Sequence, residues 1–318
     1  MTTTPVQRYH WLDVARGIAL VAMAIYHFCW NLELFSYLEP GSAGSGGLKL
    51  FARTIASSFL ILVGISLTLA HTNGIRWQAF WARWLKVAGA ALIITIATYF
   101  ATPGAYIYFG ILHHIALASL LGLAFIRARW WVLALAALGV FALNTTVSLP
   151  AFDTRLLAWT GLYAVPPRSN DFVPLMPWFA AVLIGMMAGR VIQAKGSALG
   201  DINPKGSLRP LNVIGRHSLL FYLAHQPVLI AFVYLMSLVV PAPSQTGNVA
   251  AQVFSACITT CGQTNDGAFC ARYCDCAVTA MTERQILTVT DENQSRIDDE
   301  MAIVTQQCAR TAQEPPLQ

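Results

Sequence analysis

The chain has 318 residues, 56% of them hydrophobic and only 11% charged. That charge share is less than half of what an ordinary soluble domain carries. It excludes a water-soluble globular enzyme and reads as an all-α membrane protein, with lipid around it and no nucleic-acid partner. Charge also divides the sequence in two. Residues 1–243 hold 16 Lys+Arg, 6 Asp+Glu and all seven histidines, whereas residues 244–318 hold 4 and 9 and six of the seven cysteines. The expected architecture is a polytopic membrane helix bundle over 1–243, followed by a small disulfide-rich helical tail over 244–318.

Seven apolar runs approach the ~20 residues needed to cross a bilayer and predict about seven transmembrane helices. They are Trp11–Phe35, Leu48–Ala70, Lys86–Ala101, Tyr106–Ile126, Trp130–Leu149, Val173–Ile192 and Leu211–Val240. The first is too long for a cleavable leader, carries His27 and has no small-x-small site after it, so it is expected to be retained. With the N-terminus in the cytoplasm, Arg8, Arg16, Arg76, Arg83, Lys86, Arg127, Arg129, Arg190, Lys195, Lys205, Arg209 and Arg216 fall inside. Only Lys49, Arg53, Arg155 and Arg168 of the first part then face out, which satisfies the positive-inside rule. Seven spans would put the tail outside, in an oxidising compartment.

In the first run, Asp13 and Arg16 lie three apart on one helix face and can pair, either as an anchor or as part of a site. His27 stands eleven residues beyond Arg16, about three turns on, so the two share a face. Asn31, one turn further, is positioned to orient the His27 ring. A histidine at membrane depth is either bonded into the core or functional. As a neutral imidazole it can act as a general base. Arg16, Arg76, Arg83, Lys86, Arg127 and Arg216 form a basic set able to clamp the phosphates of a soluble donor, although topology alone also explains them. Trp77, Trp81, Trp84, Trp130, Trp131 and Trp178 read as an interfacial belt. His113 and His114 diverge by about 100° on a helix, so at most one shares a cavity with His27.

Further along, Asp171 precedes Pro174 and Pro177 and is expected to cap the sixth helix or to serve as a second acid/base. His217, Phe221 and His225 step by four along one side. Pro227 removes a backbone donor, and a kink beside His225 and Gln226 would suit a pocket at membrane depth. The segment PGSAGSGG from Pro40 reads as an external turn, Leu149–Phe172 as the longest external loop, Lys195–Pro210 as a cytoplasmic loop and Glu314–Gln318 as disordered. In the tail, Cys257, Cys261, Cys270, Cys274, Cys276 and Cys308 are an even set. They predict three disulfides in a helical hairpin, with Cys276–Cys308 as the third bridge, among the fifteen pairings six cysteines permit. A zinc site is the alternative; no metal is expected elsewhere. Cys29 is expected to be a buried thiol.

Several blocks together resemble the bacterial heparan-α-glucosaminide N-acetyltransferase-like membrane proteins. They are DVARGIAL from Asp13, Tyr26-His27-Phe28, FLILVGISL from Phe59, FGILH ending at His113, DFVPLMPWF from Asp171 and GRHSLLFYLAHQP from Gly215 to Pro227. The resemblance covers residues 8–240 and ends before the cysteine-rich tail. It implies a multi-pass bacterial inner-membrane protein; the periplasmic placement of the tail is expected from the seven spans and the cysteines instead. It also implies acetyl transfer from cytosolic acetyl-coenzyme A to a sugar-like acceptor amine or hydroxyl. Where the lysosomal enzyme carries its catalytic histidine this chain has Leu38, so His27, with His113, His225 and Asp171, stands as the candidate catalytic set. Two other readings stay open. One is a non-catalytic subunit whose tail docks on a larger membrane complex. The other is a proton-coupled carrier, against which the absence of an inverted repeat counts.

Overall fold

A computed structural model describes residues 9–72, 74–194, 206, 208–240, 242, 246–262, 265–287 and 294–313. Arg8, Lys195, Lys205 and the segment Glu314–Gln318 lie outside the described residues. Among the described residues the regular structure is helical throughout. The helices are α1 (His10–Leu34), α2 (Gly46–Ala70), α3 (Trp77–Ala101), α4 (Ile111–Ala124), α5 (Trp130–Thr146), the single turn α6 (Arg155–Ala158), α7 (Leu175–Ala194), α8 (Leu208–Arg216), α9 (Ser218–Val239), α10 (Thr246–Cys261), α11 (Gly267–Glu283) and α12 (Gln294–Gln313). The chain divides into two compact units, Met1–Asn31 with Ser42–Leu235, and Leu32–Gly41 with Met236–Gln318.

In the first unit, α1, α2, α3, α7 and α9 are long and apolar enough to span a membrane. Among the described residues that is five candidate spans where seven were expected. Helices α4 and α5 have 14 and 17 residues, about 21 and 26 Å at 1.5 Å per residue, short of the ~30 Å hydrocarbon layer. The fourth run is shortened because Tyr106–Gly110 is extended rather than helical. Asn170 N donates to Ala105 O (2.9 Å) and Val173 N to Phe109 O (3.1 Å), so a second extended segment before α7 pairs with it. The third helix begins at Trp77, nine residues before the expected Lys86. The last run is broken at His217 into α8 and α9.

Glycines set the closest helix contacts. A Cβ added at Gly64 would lie 2.1 Å from Val182 O, and one at Gly185 would lie 2.1 Å from Ile61 O, so α2 and α7 touch backbone to backbone. Small residues permit such approach where lipid gives helices little apolar incentive to associate. Around this seam Leu60, Leu67, Ala118, Leu133, Val182, Leu183 and Met186 form the main core. A second crossing joins α1 to α8: a Cβ at Gly17 would meet Leu211 O at 2.0 Å, and one at Gly215 would meet Asp13 O at 1.7 Å.

In the second unit, Cys257–Cys274 and Cys261–Cys270 staple α10 to α11, and Cys276–Cys308 joins α11 to α12, with Cα separations of 5.8, 5.7 and 5.6 Å. The three bridges match the expected hairpin and consume all six sulfurs, leaving none for a zinc site. Asp266 caps α11 by accepting from Ala268 N and Phe269 N. The bond from Phe269 N–H leads the interactions that lower its carboxyl pKa. Ile286, Ile297, Val304 and Cys308 form a small core between α11 and α12. Arg284 pairs with Glu300, and Arg272 donates to Ala312 O at 2.8 Å.

Candidate functional site

The polar groups of α1 and α9 meet at one level of the bundle. The His27 and His225 rings lie 5.0 Å apart between centroids. Tyr26 stands edge-on to His27 at 5.5 Å, and Phe221 stacks on His225 at 6.3 Å. One turn beyond His27, Asn31 is fully buried and its Oδ1 accepts from Gln226 Nε2 at 3.0 Å. Asn31 is thus tied to α9.

The tautomer of His225 follows from one contact. Its Nδ1 lies 2.6 Å from Tyr222 O. A carbonyl only accepts, so Nδ1 carries the proton and Nε2 holds the lone pair. That Nε2 is buried and has no hydrogen-bond partner, as are His27 Nδ1, Asn31 Nδ2 and Gln226 Oε1. Buried polar groups are nearly always satisfied. Four open ones cluster on two neighbouring segments of two helices.

Asp171 does cap a helix, but the helix is α4. Its Oδ2 accepts from Ile111 N at 2.9 Å and from Tyr222 OH at 3.4 Å. The pairing of the two extended segments swings it over the start of α4, and Gly110 leaves room, since a Cβ there would sit 2.3 Å from Asp171 Oδ2. Burial pushes the Asp171 carboxyl pKa up, and the bonds from Ile111 and Tyr222 oppose the rise. His225 packs against the Tyr222 ring at 5.5 Å, so a chain of contacts runs Asp171–Tyr222–His225–His27.

His113 has both ring nitrogens engaged. Its Nδ1 accepts from Gly110 N at 3.2 Å, and its Nε2 lies 3.0 Å from Thr95 Oγ1, whose proton goes to Ile107 O. No lone pair is left for proton transfer. His114 is fully buried with Nδ1 on Val173 O at 3.2 Å. His217 is exposed and does not extend the stripe formed by Phe221 and His225. Cys29 is half-buried rather than buried. Trp77, Trp81, Trp130 and Trp131 are exposed as an interfacial belt requires. Trp84 and Trp178 instead pack against the core.

The opposite level gathers basic groups. Arg16 donates to Asp13 Oδ1 at 2.9 Å, as the spacing predicts, and also to Ser66 Oγ at 2.5 Å, which ties α1 to α2. Arg190 donates to the carbonyls of Phe125, Ile126 and Ala128 at the end of α4. Arg76 and Arg83 border a cavity of about 150 Å³ between α2, α3 and α4. Arg127 borders a second recess of about 470 Å³ with Ile75 and Trp77. Lys86 and Arg216 are exposed. His71, which nothing in its sequence context singled out, is buried in the wall of the first cavity.

These features define a multi-pass membrane helix bundle with a histidine-bearing polar site between two of its segments. No curated protein and no solved structure matches the chain. Residues 8–227 match the family described as heparan-alpha-glucosaminide N-acetyltransferase, catalytic, and the chain belongs to that family of membrane acetyltransferases. The cysteine-rich tail lies beyond the matched residues.

Proposed function

We propose that the protein transfers an acetyl group from acetyl-coenzyme A to the amine or hydroxyl of a sugar-like acceptor, at the polar cluster between α1 and α9. The observation that carries this reading is the set of open buried atoms on His27, Asn31, His225 and Gln226. His225 is the general base, because its proton is committed to Tyr222 O and its basic Nε2 is unoccupied. Nε2 takes the acceptor's proton as the acceptor N or O attacks the thioester carbonyl. Asn31 Nδ2 donates toward the oxyanion that develops. The C–S bond then breaks, and the departing sulfur takes the proton back from His225. His27 flanks the base and holds the acceptor, and Gln226 Oε1 accepts from a second acceptor group.

Asp171 acts through Tyr222, holding the turn that presents His225. His113 orients the segment before α4 and moves no proton itself. The donor phosphates lie on the basic level formed by Arg16, Arg76, Arg83, Lys86, Arg127 and Arg216. Arg16 and His27 are eleven residues apart on α1, a rise of about 16 Å, which a flexible pantetheine arm crosses. The basic level faces the cytoplasm of a bacterial inner-membrane protein, and the disulfide-bonded tail faces the periplasm.

The test is release of coenzyme A thiol by the purified full chain, supplied with acetyl-coenzyme A and amino sugars. His225→Gln is expected to lower turnover by about 10²–10⁴-fold, the usual range for removing a general base. His27→Ala is expected to lower it as well. Undiminished turnover in both variants would remove the basis of the reading.

A further inference from the structure

The segments that bring Asp171 over α4 also carry rings that the transfer chemistry above does not use. Helix α3 has 25 residues, so about 37 Å separate its two ends. Tyr106 and Tyr108 follow its far end, opposite Arg76 and Arg83. Alternation along an extended chain puts Tyr106 and Tyr108 on one side and Ile107 and Phe109 on the other. Centroids lie 6.2 Å apart for Tyr106 and Tyr108, 5.6 Å for Tyr108 and Phe172, and 5.5 Å for Phe172 and Tyr163. All four rings are half-buried, so each keeps surface toward the outside. Phe172 directly follows Asp171, which sets this patch one residue from the contacts that lead through Tyr222 to His225.

The polar groups of the patch are unspent. Arg155 on α6 is exposed and holds its guanidinium 4.8 Å from the centre of the Tyr106 ring. No carboxylate among the described residues pairs with it. The nearby Asp153 Oδ1 instead accepts from Ala164 N at 2.7 Å and Val165 N at 3.0 Å. Arg155 and the hydroxyls of Tyr106 and Tyr163 all lie within electrostatic reach of the Tyr108 hydroxyl, so these groups converge. The Tyr106 and Tyr163 hydroxyls make no hydrogen bond with any described residue. An interfacial belt places its rings at the ends of spanning helices, whereas none of these four rings is on a candidate span.

Ring faces edged by phenols and a guanidinium suit a sugar ring. Its C–H face lies on an aromatic face, and its hydroxyls accept from Arg155 and exchange hydrogen bonds with the tyrosines. A lipid tail would leave all three polar groups unpaired. Ser169 Oγ donates to Tyr106 O at 3.1 Å, and Asn170 N donates to Ala105 O at 2.9 Å, so the patch is held in place before any ligand arrives.

We propose that Tyr106, Tyr163 and Arg155 form a subsite for a sugar ring of the acceptor, outside the catalytic cluster. Its part in acetyl transfer rests on the transferase reading, whereas sugar binding does not.

The experiment uses the full chain in phosphatidylcholine nanodiscs, with glucosamine and its β-1,4-linked disaccharide as probes. Sugar binding is read by saturation-transfer difference NMR, and turnover by thiol release from acetyl-coenzyme A. The variants are Arg155→Gln, at an exposed site, and the double variant Tyr106→Phe with Tyr163→Phe, which keeps the rings and removes the hydroxyls. Losing one charge-assisted or two neutral hydrogen bonds is expected to raise the KM for the sugar about tenfold, with kcat and the KM for acetyl-coenzyme A unchanged. If wild type shows no turnover, but it binds a sugar and both variants lose that signal, the subsite stands and the transferase reading falls. If wild type turns over and neither variant alters the sugar KM, the subsite is overturned and the transferase reading is untouched. A fall in kcat at unchanged sugar KM marks a structural role and also overturns the subsite, as does a wild type that neither binds nor acetylates either sugar.

Discussion

Gly215→Ala probes the seam on which the candidate site depends. The new Cβ would stand 1.7 Å from Asp13 O, and real Cβ contacts essentially never fall below 3.0 Å, so α1 and α8 must part by at least 1.3 Å at their crossing. Neither side of this contact can yield by rotating a side chain, because the obstacle is backbone. Overpacking of this kind destabilises by about 1–3 kcal/mol. The displacement also travels: α1 carries His27, and α8 leads directly into α9 with His225. A shift of about 1 Å at reacting groups lowers turnover about 10²-fold. The assay pairs thermal unfolding in detergent with thiol release from acetyl-coenzyme A. Gly17→Ala attacks the same crossing, where a Cβ would meet Leu211 O at 2.0 Å. Once the helices have parted for one methyl group, the second needs less, so the double variant should fall short of the sum of the two. A Gly215→Ala protein with wild-type midpoint and turnover would show that these backbones do not touch.

Two further outcomes are expected. The Asp171 carboxyl pKa is raised by burial, and an acid with a raised folded value adds stability below its unfolded value and loses it as pH rises through the folded one. Wild type should therefore lose stability relative to Asp171→Asn as pH climbs above the ordinary carboxylate range. A pH-independent difference between their unfolding midpoints would contradict the placement of that carboxyl. In the tail, Cys276–Cys308 closes 32 residues and Cys261–Cys270 closes 9. Loop-closure entropy then gives about 4 and about 3 kcal/mol respectively. Replacing Cys276 and Cys308 by serine should increase amide exchange in α12 more than replacing Cys261 and Cys270 does, as read by hydrogen-exchange mass spectrometry on the full chain.

How much of this was legible beforehand depends on the range of the interaction. Local patterns carried far. The i,i+3 spacing of Asp13 and Arg16 yields their ion pair, and the two C-x3-C spacings yield two bridges across one hairpin. Apolar run length located the five candidate spans, misjudged their borders, and counted as spans two helices, α4 and α5, that are too short. Arg83 read as a loop charge and Lys86 as the border of the third run, yet both lie inside α3, because long basic side chains extend from a helix toward water. Tyr106–Gly110 is as apolar as a span, yet it is extended because it pairs with a segment over sixty residues away. The same pairing sends Asp171 to α4, which no local rule for helix caps anticipates. The 5.0 Å approach of His27 and His225 needs the order of helices in the bundle. His71 stayed invisible because its meaning comes from a cavity shared with α3 and α4.

The contact of α2 with α7 has a mechanical corollary. Main chains that abut through Gly64 and Gly185 cannot slide past one another without collision, so this pair forms a stiff keel. By contrast, only 11% of the most apolar stretch of α3 and of α9 is buried. Any breathing that admits a bulky solute must come from those two outer staves. Cross-linking α2 to α7 should then leave turnover intact, whereas pinning α9 should stall it.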